Sequence, residues 1–569
     1  MSRVIAWSVR WLALIVAIAV VPVFTAAPKF YPDDPLQREP ESRDASGVKE
    51  WDVGLLYELS MNLFVTANRE PSNTRAQNVN TIDEVPDSSW FTNRIARMPI
   101  RAEDVAKGPN ADRPPANERW TIVGEKASGA KPGFTARDAN GVTWFVQFDD
   151  RDRYQASTGA VGVATKIFWT LGYNQVETFL SSLDPARVDF DPKATVRRPS
   201  GVRTPYTRKD LQDVLERAQA GPNGIYRIAA GRRLEGEILG GFRYAGTRPD
   251  DPNDLVPHEH RRELRALRVF GAWTNLTDLK AGNTLDTLVK ESGRGVVKHY
   301  LQDVGSTFGT ANGIYDWDIG YEYFYQGSTT KKRFFSLGFA LSPWQTVPYS
   351  EYESIGKFEG DRFDPRAWKP QTPTSAYIEM RADDAFWAAR RVMAFSDDLI
   401  RAAVHAGEYS DPAAEAHLVS VLIKRRDKIG RAYLPAITPI VDPRIDGGTL
   451  VFGNAAVSAG FAQAPTQYRA VWSRFDNATG GTQRITETQS ATPSMPVPGN
   501  LPTAAGSYIE VDISAESAEH VNWREPVRVH FRRTASGWTL VGLDRLPNAD
   551  NASAAPAIPS GDLTPKGLR

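Results

Sequence analysis

The stretch from residue 284 to 301 constrains this chain more than any other. It reads TLDTLVK, then ESGRG, then VVKHYL, with Asn283 just before it and Asp303 just after. Both flanks are rich in β-formers and the centre is made of turn residues, so the segment predicts a hairpin with strands at about 284–289 and 296–301. A hairpin returns the chain to where it left. Asn283 and Asp303 therefore meet at one edge, with Asp278 on the loop that delivers Asn283. An amide oxygen and a carboxylate are hard ligands of the kind that suit Mg²⁺ on nucleotide phosphates. Asp278 is placed to orient a hydroxyl nucleophile and accept its proton. Gly305 is expected to permit a backbone bend after the metal ligand.

In order, these residues read Asp278-Leu279-Lys280-Ala281-Gly282-Asn283, the hairpin, then Asp303-Val304-Gly305. The pattern resembles the protein-kinase-like superfamily, whose catalytic loop is H-R-D-L-x-x-x-N and whose metal triplet is D-F-G. Upstream, WTIVGEK, GFTARD and GVTWFVQF predict three antiparallel strands, the last two joined at Asn140-Gly141. A helix beginning near Ser157 or Thr158 follows. This order is also similar to that family, over roughly residues 115 to 310. The resemblance implies a two-lobed α+β kinase-like fold that uses Mg²⁺ and ATP, with Asp278 as catalytic base and Asn283 and Asp303 as metal ligands. Leu276-Thr277 replaces the His-Arg of the family motif, which suggests an atypical branch near the HipA-like and secreted kinases.

In that family a Lys on the third strand grips the phosphates and pairs with a Glu on the next helix. Here the third-strand position falls near Gln147, and the helix offers Lys166 but no acid. The grip is then either lost or supplied by Lys126 on the first strand or Lys131 in the following loop. The loop GEKASGAKPG holds Gly124, Gly129 and Gly133, enough to cradle phosphate through backbone N–H groups although not at G-x-G-x-x-G spacing.

A chain of 569 residues exceeds the roughly 250 to 300 at which single cores stop growing, so several domains are expected. Lys plus Arg and Asp plus Glu are both 68, giving no global field to draw the protein onto nucleic acid. Cysteine is absent, which removes disulfides and thiolate chemistry. Arg3 and Arg10 precede an apolar run from Trp11 to Phe24 and small residues at 25–27, the layout of an export signal or, if retained, a membrane anchor. This implies a periplasmic or extracellular protein whose membrane association is through the N-terminus only.

The expected divisions are residues 1–27 (signal or anchor), 28–118 (extended, with a helix at LLYELSMNLF and a surface-wrapped loop from 70), 119–175 (N-lobe), 176–435 (C-lobe), 447–547 (β-rich domain) and 548–569 (disordered tail). His258-Glu259-His260 lacks the i, i+4 spacing of a zincin, and no Walker loop or G-x-S-x-G elbow is present. The partners implied are a nucleotide and a protein or small-molecule acceptor. The alternative is a catalytically silent kinase-fold binding or scaffold protein of the cell envelope, because Gln147 stands where a Lys is expected. A carbohydrate-binding surface protein rests only on the fifteen Trp residues and the β-rich end.

Overall fold

The computed structural model describes residues 27–95, 98–111, 113–126, 129, 131–310, 320–337, 339 and 351–549. The expected signal or anchor before residue 27 and the tail from 550 onward lie outside them. Among the described residues no helix is long and apolar enough to cross a membrane.

The N-terminal region carries helices α1 (Leu55–Phe64) and α2 (Ala102–Lys107). The segment after residue 70 does not wrap the surface as expected. Val85, Trp90 and Phe91 join the main core. The reason is chemical: Asp83 and Glu84 are carboxylate partners for buried arginines, so the segment between them and Phe91 is pulled inward.

The N-lobe is a six-stranded sheet of order β4-β8-β3-β2-β1-β5, made of β1 (Trp120–Glu125), β2 (Gly133–Arg137), β3 (Thr143–Phe148), β4 (Thr178–Leu183), β5 (Val188–Phe190) and β8 (Tyr226–Arg232). β1, β2 and β3 are antiparallel neighbours. The turn between β2 and β3 uses Gly141 at φ 78°, with Asp138 accepting from the N–H groups of Asn140 and Val142. The sheet does not end at residue 175. The apolar run IYRIAAG forms β8 and returns to pair with both β3 and β4, carrying the lobe to Arg232. A small ribbon, β6 (Thr195–Arg197) with β7 (Arg203–Pro205), and a helix at Arg208–Leu215 fill the excursion.

Helix α3 (Ala156–Leu171) follows β3 and is buried along nearly its whole length. Neither Ser157 nor Thr158 caps it. The cap residue is Gln155 at φ 68°, and the Thr158 N–H and hydroxyl instead donate to Asp149 at 2.8 and 2.9 Å. Ala160, Val163, Ala164, Ile167 and Phe168 belong to the C-lobe core, so α3 is shared between lobes. Gly159 permits this: a Cβ there would stand 2.6 Å from the Tyr409 ring.

The C-lobe is built on the helix Arg262–Thr274 and the helices Ala382–Met393, Asp397–His405 and Pro412–Tyr433. A three-stranded sheet of order β11-β10-β9, with β9 (Glu237–Gly240), β10 (Thr284–Glu291) and β11 (Arg294–Leu301), lies toward the N-lobe. Arg261, Arg262 and Arg265 are buried rather than solvated. Arg262 pairs with Asp83, Asp383 and Asp384, and Arg265 with Asp384. His258 is buried and bonded to Asp254 rather than set out with His260 for a metal.

The β-rich domain begins at Ile440, earlier than the composition change near 447, and contains a three-stranded sheet and a five-stranded antiparallel one. Phe30 packs against Phe475 and Tyr508 of that domain. This is an α+β layout with a β-rich C-terminal domain, as the sequence implies.

Candidate active site

The hairpin forms in full register from Thr284 opposite Leu301 to Glu291 opposite Arg294. Its strands are longer than expected at the turn end because the turn needs only Ser292 and Gly293, at φ 50° and 82°. At the open end the Asn283 carbonyl accepts from the N–H groups of Gln302 and Asp303 at 3.0 and 3.1 Å. The two candidate metal ligands are thus joined through their backbones. The Asn283 side-chain nitrogen donates to the Asp278 carbonyl at 2.7 Å. With that nitrogen committed, the amide oxygen is what Asn283 has to offer a cation.

Asp303 is exposed, and its Oδ1 accepts from the Gly305 N–H at 3.0 Å. Gly305 serves close approach rather than a left-handed bend. A Cβ there would lie 2.6 Å from Cγ2 of Val161, so the glycine lets this segment press onto α3. Asp278 is 8% exposed, and its carboxylate accepts from Lys280 Nζ at 2.8 Å. The Thr277 N–H donates to the Ser306 carbonyl at 3.2 Å, tying the two loops together.

Above this edge stands Lys126, just past β1. Its Nζ lies 3.4 Å from Gln147 Oε1 and 3.4 Å from the Lys131 carbonyl. Burial lowers its pKa from the usual lysine value, Asp303 opposes that, and Lys131 adds to it. Gly133, paired with Gln147 across β2 and β3, makes room for it: a Cβ there would strike the Val146 carbonyl and touch Lys126 Cδ. Gly129, at φ 90°, has its Cβ position 3.2 Å from Lys126 Nζ.

Lys131 does other work. Its Nζ donates to Asp150 at 3.0 Å, to the Ser157 hydroxyl at 2.5 Å and to the Thr310 carbonyl at 2.6 Å. It braces the β1–β2 loop against α3 and the segment after Asp303. Asp150, just before α3, is thus the partner of Lys131. Lys166 lies away from the site, bonded to the Lys107 carbonyl, and burial pushes it down to about 8.

Two contributors escape sequence reasoning. Lys280 stands inside the quoted loop, and its spacing from Asp278 was a usable signal. Glu58, on α1, had none: its carboxylate accepts from the Ala281 N–H at 3.1 Å from a distant part of the chain. Burial pushes Glu58 up to about 7 although that hydrogen bond opposes the shift.

Among the described residues no cluster of three or more His, Asp or Glu could hold a metal alone. Mg²⁺ bound to nucleotide needs only one or two protein ligands beside phosphate oxygens, so the donor set of Asn283 and Asp303 fits.

The sequence matches no family model and no curated protein. Among solved structures it is similar to the Golgi casein kinase, with 11% identity and a TM-score of 0.30 over 70% of this chain and 94% of that one. A second structure of that kinase, with Mn/ADP bound, gives 10% identity and the same score and coverage. Overlays this loose leave the site to be judged on its own geometry.

Proposed function

We propose that this chain is an exported, atypical kinase-like phosphotransferase that uses Mg²⁺ and ATP. The observation that carries the reading is the joining of Asn283 to Asp303 at the open end of the C-lobe hairpin, where the Asn283 carbonyl accepts from the Asp303 N–H at 3.1 Å. ATP bound with Mg²⁺ would supply the phosphoryl group and spread the charge that builds on it.

This chain's residues do the rest. Asn283 and Asp303 would hold the metal, and Lys126 would offer a cation to phosphate oxygens. Asp278 orients the hydroxyl of a protein or small-molecule acceptor and takes its proton. Lys280 keeps one carboxylate oxygen fixed. Gly129 and Gly133 leave the β1–β2 loop backbone free to approach phosphate. Gln147 holds Lys126 in place of gripping phosphate itself.

Calorimetry with ATP, with and without Mg²⁺, tests this. Mg²⁺-dependent binding in the parent that is lost in Asp303→Ala is the expected result. Absence of nucleotide binding in the parent would leave the second reading, a silent kinase-fold binding or scaffold protein of the cell envelope, which Gln147 on β3 favours. Export rests on residues 1–27. N-terminal sequencing of the native protein should find a start shortly after Ala27, or an intact terminus in the membrane fraction if the segment is retained.

A further inference from the structure

A pocket of about 380 Å³ lies along the hairpin, from Tyr300 to Lys290 and Glu291 near its turn. Its walls are the α3–β4 corner, the end of β8 with the turn after it, the turn end of β10, and Lys298 and Tyr300 on β11. At about 3.3 Å per strand residue, its lining runs from Tyr300, about 10 Å along the chain from Asp303, to Lys290, about 20 Å from Thr284. It also sits on the seam between lobes: the Asn174 side chain donates to the His299 carbonyl at 3.0 Å, and the Leu301 N–H to the Asn174 carbonyl at 3.2 Å.

The charges of the lining do not cancel. Arg232 pairs with Glu177 at 3.6 Å, and Lys298 pairs with Glu291. Arg94, Arg233 and Lys290 have no carboxylate within 4 Å among the described residues, against one unmatched acid, Glu235. Arg94 is held over the Trp169 ring, 4.5 Å from its centre, with Nη1 donating to the Trp169 carbonyl at 2.6 Å. That anchorage fixes the guanidinium at the rim without neutralising it.

A second observation is independent of charge. Gln175 is 5% exposed and lines the pocket, and its side-chain nitrogen has no hydrogen-bond partner. A buried donor left unmade is costly, and an acceptor entering the pocket would satisfy it. Excess cations, an orphan amide donor and an indole wall together describe a receptor for a compact, oxygen-rich anion.

We propose that this pocket is a second ligand site, for a small phosphorylated anion, separate from the candidate active site. A ligand there would join the α3–β4 corner to the hairpin turn and so clasp the two lobes from behind. The site does not depend on the phosphotransferase reading.

Calorimetry with inorganic pyrophosphate, without Mg²⁺, tests it on the full chain. The expected result is saturable binding that survives Lys126→Ala and weakens at least tenfold in Arg233→Glu with Lys290→Glu. Both reversed residues are exposed, so the fold is spared. Pyrophosphate should also quench fluorescence in the parent and lose that quench in Trp169→Phe. No binding at millimolar pyrophosphate, binding indifferent to the double reversal, or binding abolished by Lys126→Ala alone would each overturn the proposal.

Discussion

Lys126 and Gln147 occupy one position between them: the lysine ammonium, rooted past β1, reaches the amide oxygen of the third-strand residue at 3.4 Å. A cation therefore stands near the place where the sequence, read strand by strand, lacks one. Gln147→Lys should not strengthen nucleotide binding, because it sets two ammonium groups side by side in a half-buried place. Lys126→Ala should weaken it at least tenfold. If Lys126→Ala alone has no effect in calorimetry and Gln147→Lys gains binding, the protein is a silenced kinase.

Asp278 and Asp303 should separate in kinetics. Asp278→Asn removes the proton acceptor but keeps the shape, so turnover should fall by about 100-fold or more with nucleotide affinity nearly unchanged. Asp303→Ala should abolish Mg²⁺-dependent affinity itself. Equal loss of affinity in both variants would contradict the division of roles.

Gly305→Ala should be destabilising, by about 1–3 kcal/mol, because its new methyl meets Val161. Val161→Ala in the same chain should recover much of the loss. A thermal melt of the three variants reads both effects, and a double variant no better than Gly305→Ala would place the strain elsewhere.

Glu58 makes stability depend on pH. Burial lifts its pKa from 4.5 to about 7, so within that window the folded chain keeps a proton that the unfolded chain has released. Stability should then fall as pH rises from 4.5 through 7, by up to about 3 kcal/mol, and level off above. Glu58→Gln should flatten this part of the profile while keeping an acceptor for the Ala281 N–H. An unchanged slope in urea titrations at pH 5 and 8 would rule Glu58 out as its source.

Arg262→Met should cost about 3–5 kcal/mol, since Asp83, Asp383 and Asp384 stay buried with less compensation. Arg262→Lys should recover only part, because an ammonium does not reproduce the fork of bonds. A melting temperature of Arg262→Met equal to the parent's would show the cluster to be neutral.

What could be read from the sequence follows from locality. The hairpin, the Asn140-Gly141 turn and the helix at 55–64 are written in adjacent residues, and they form where periodicity and turn chemistry put them. The meeting of Asn283 with Asp303 was legible because a hairpin has one geometry. Contacts set by tertiary packing were not. Nothing near Glu58 announces Ala281, and nothing near Asp83 announces Arg262. The polar composition of residues 70–95 concealed Val85, Trp90 and Phe91, since a segment rich in Asn, Asp and Ser is read as surface until its carboxylates find buried cations. That Lys131 rather than Lys126 is tied to Asp150 and Ser157 was likewise not written in adjacent residues.

The buried carboxylate of Asp83 is reached by Arg75, Arg262 and Arg545. The N–H of Leu543, on the last strand of the β-rich domain, donates to the Thr81 carbonyl at 2.7 Å. Early and late parts of the polypeptide are thus interlocked at one charged knot. During translation the 75–85 segment emerges hundreds of residues before Arg545, and its acids cannot be fully matched until then. A chain that stops short of Leu543 lacks both the Arg545–Asp83 pair and the Leu543–Thr81 hydrogen bond. Closure of the knot around Asp83 therefore waits on the strand Trp538–Asp544 and on Arg545 just beyond it.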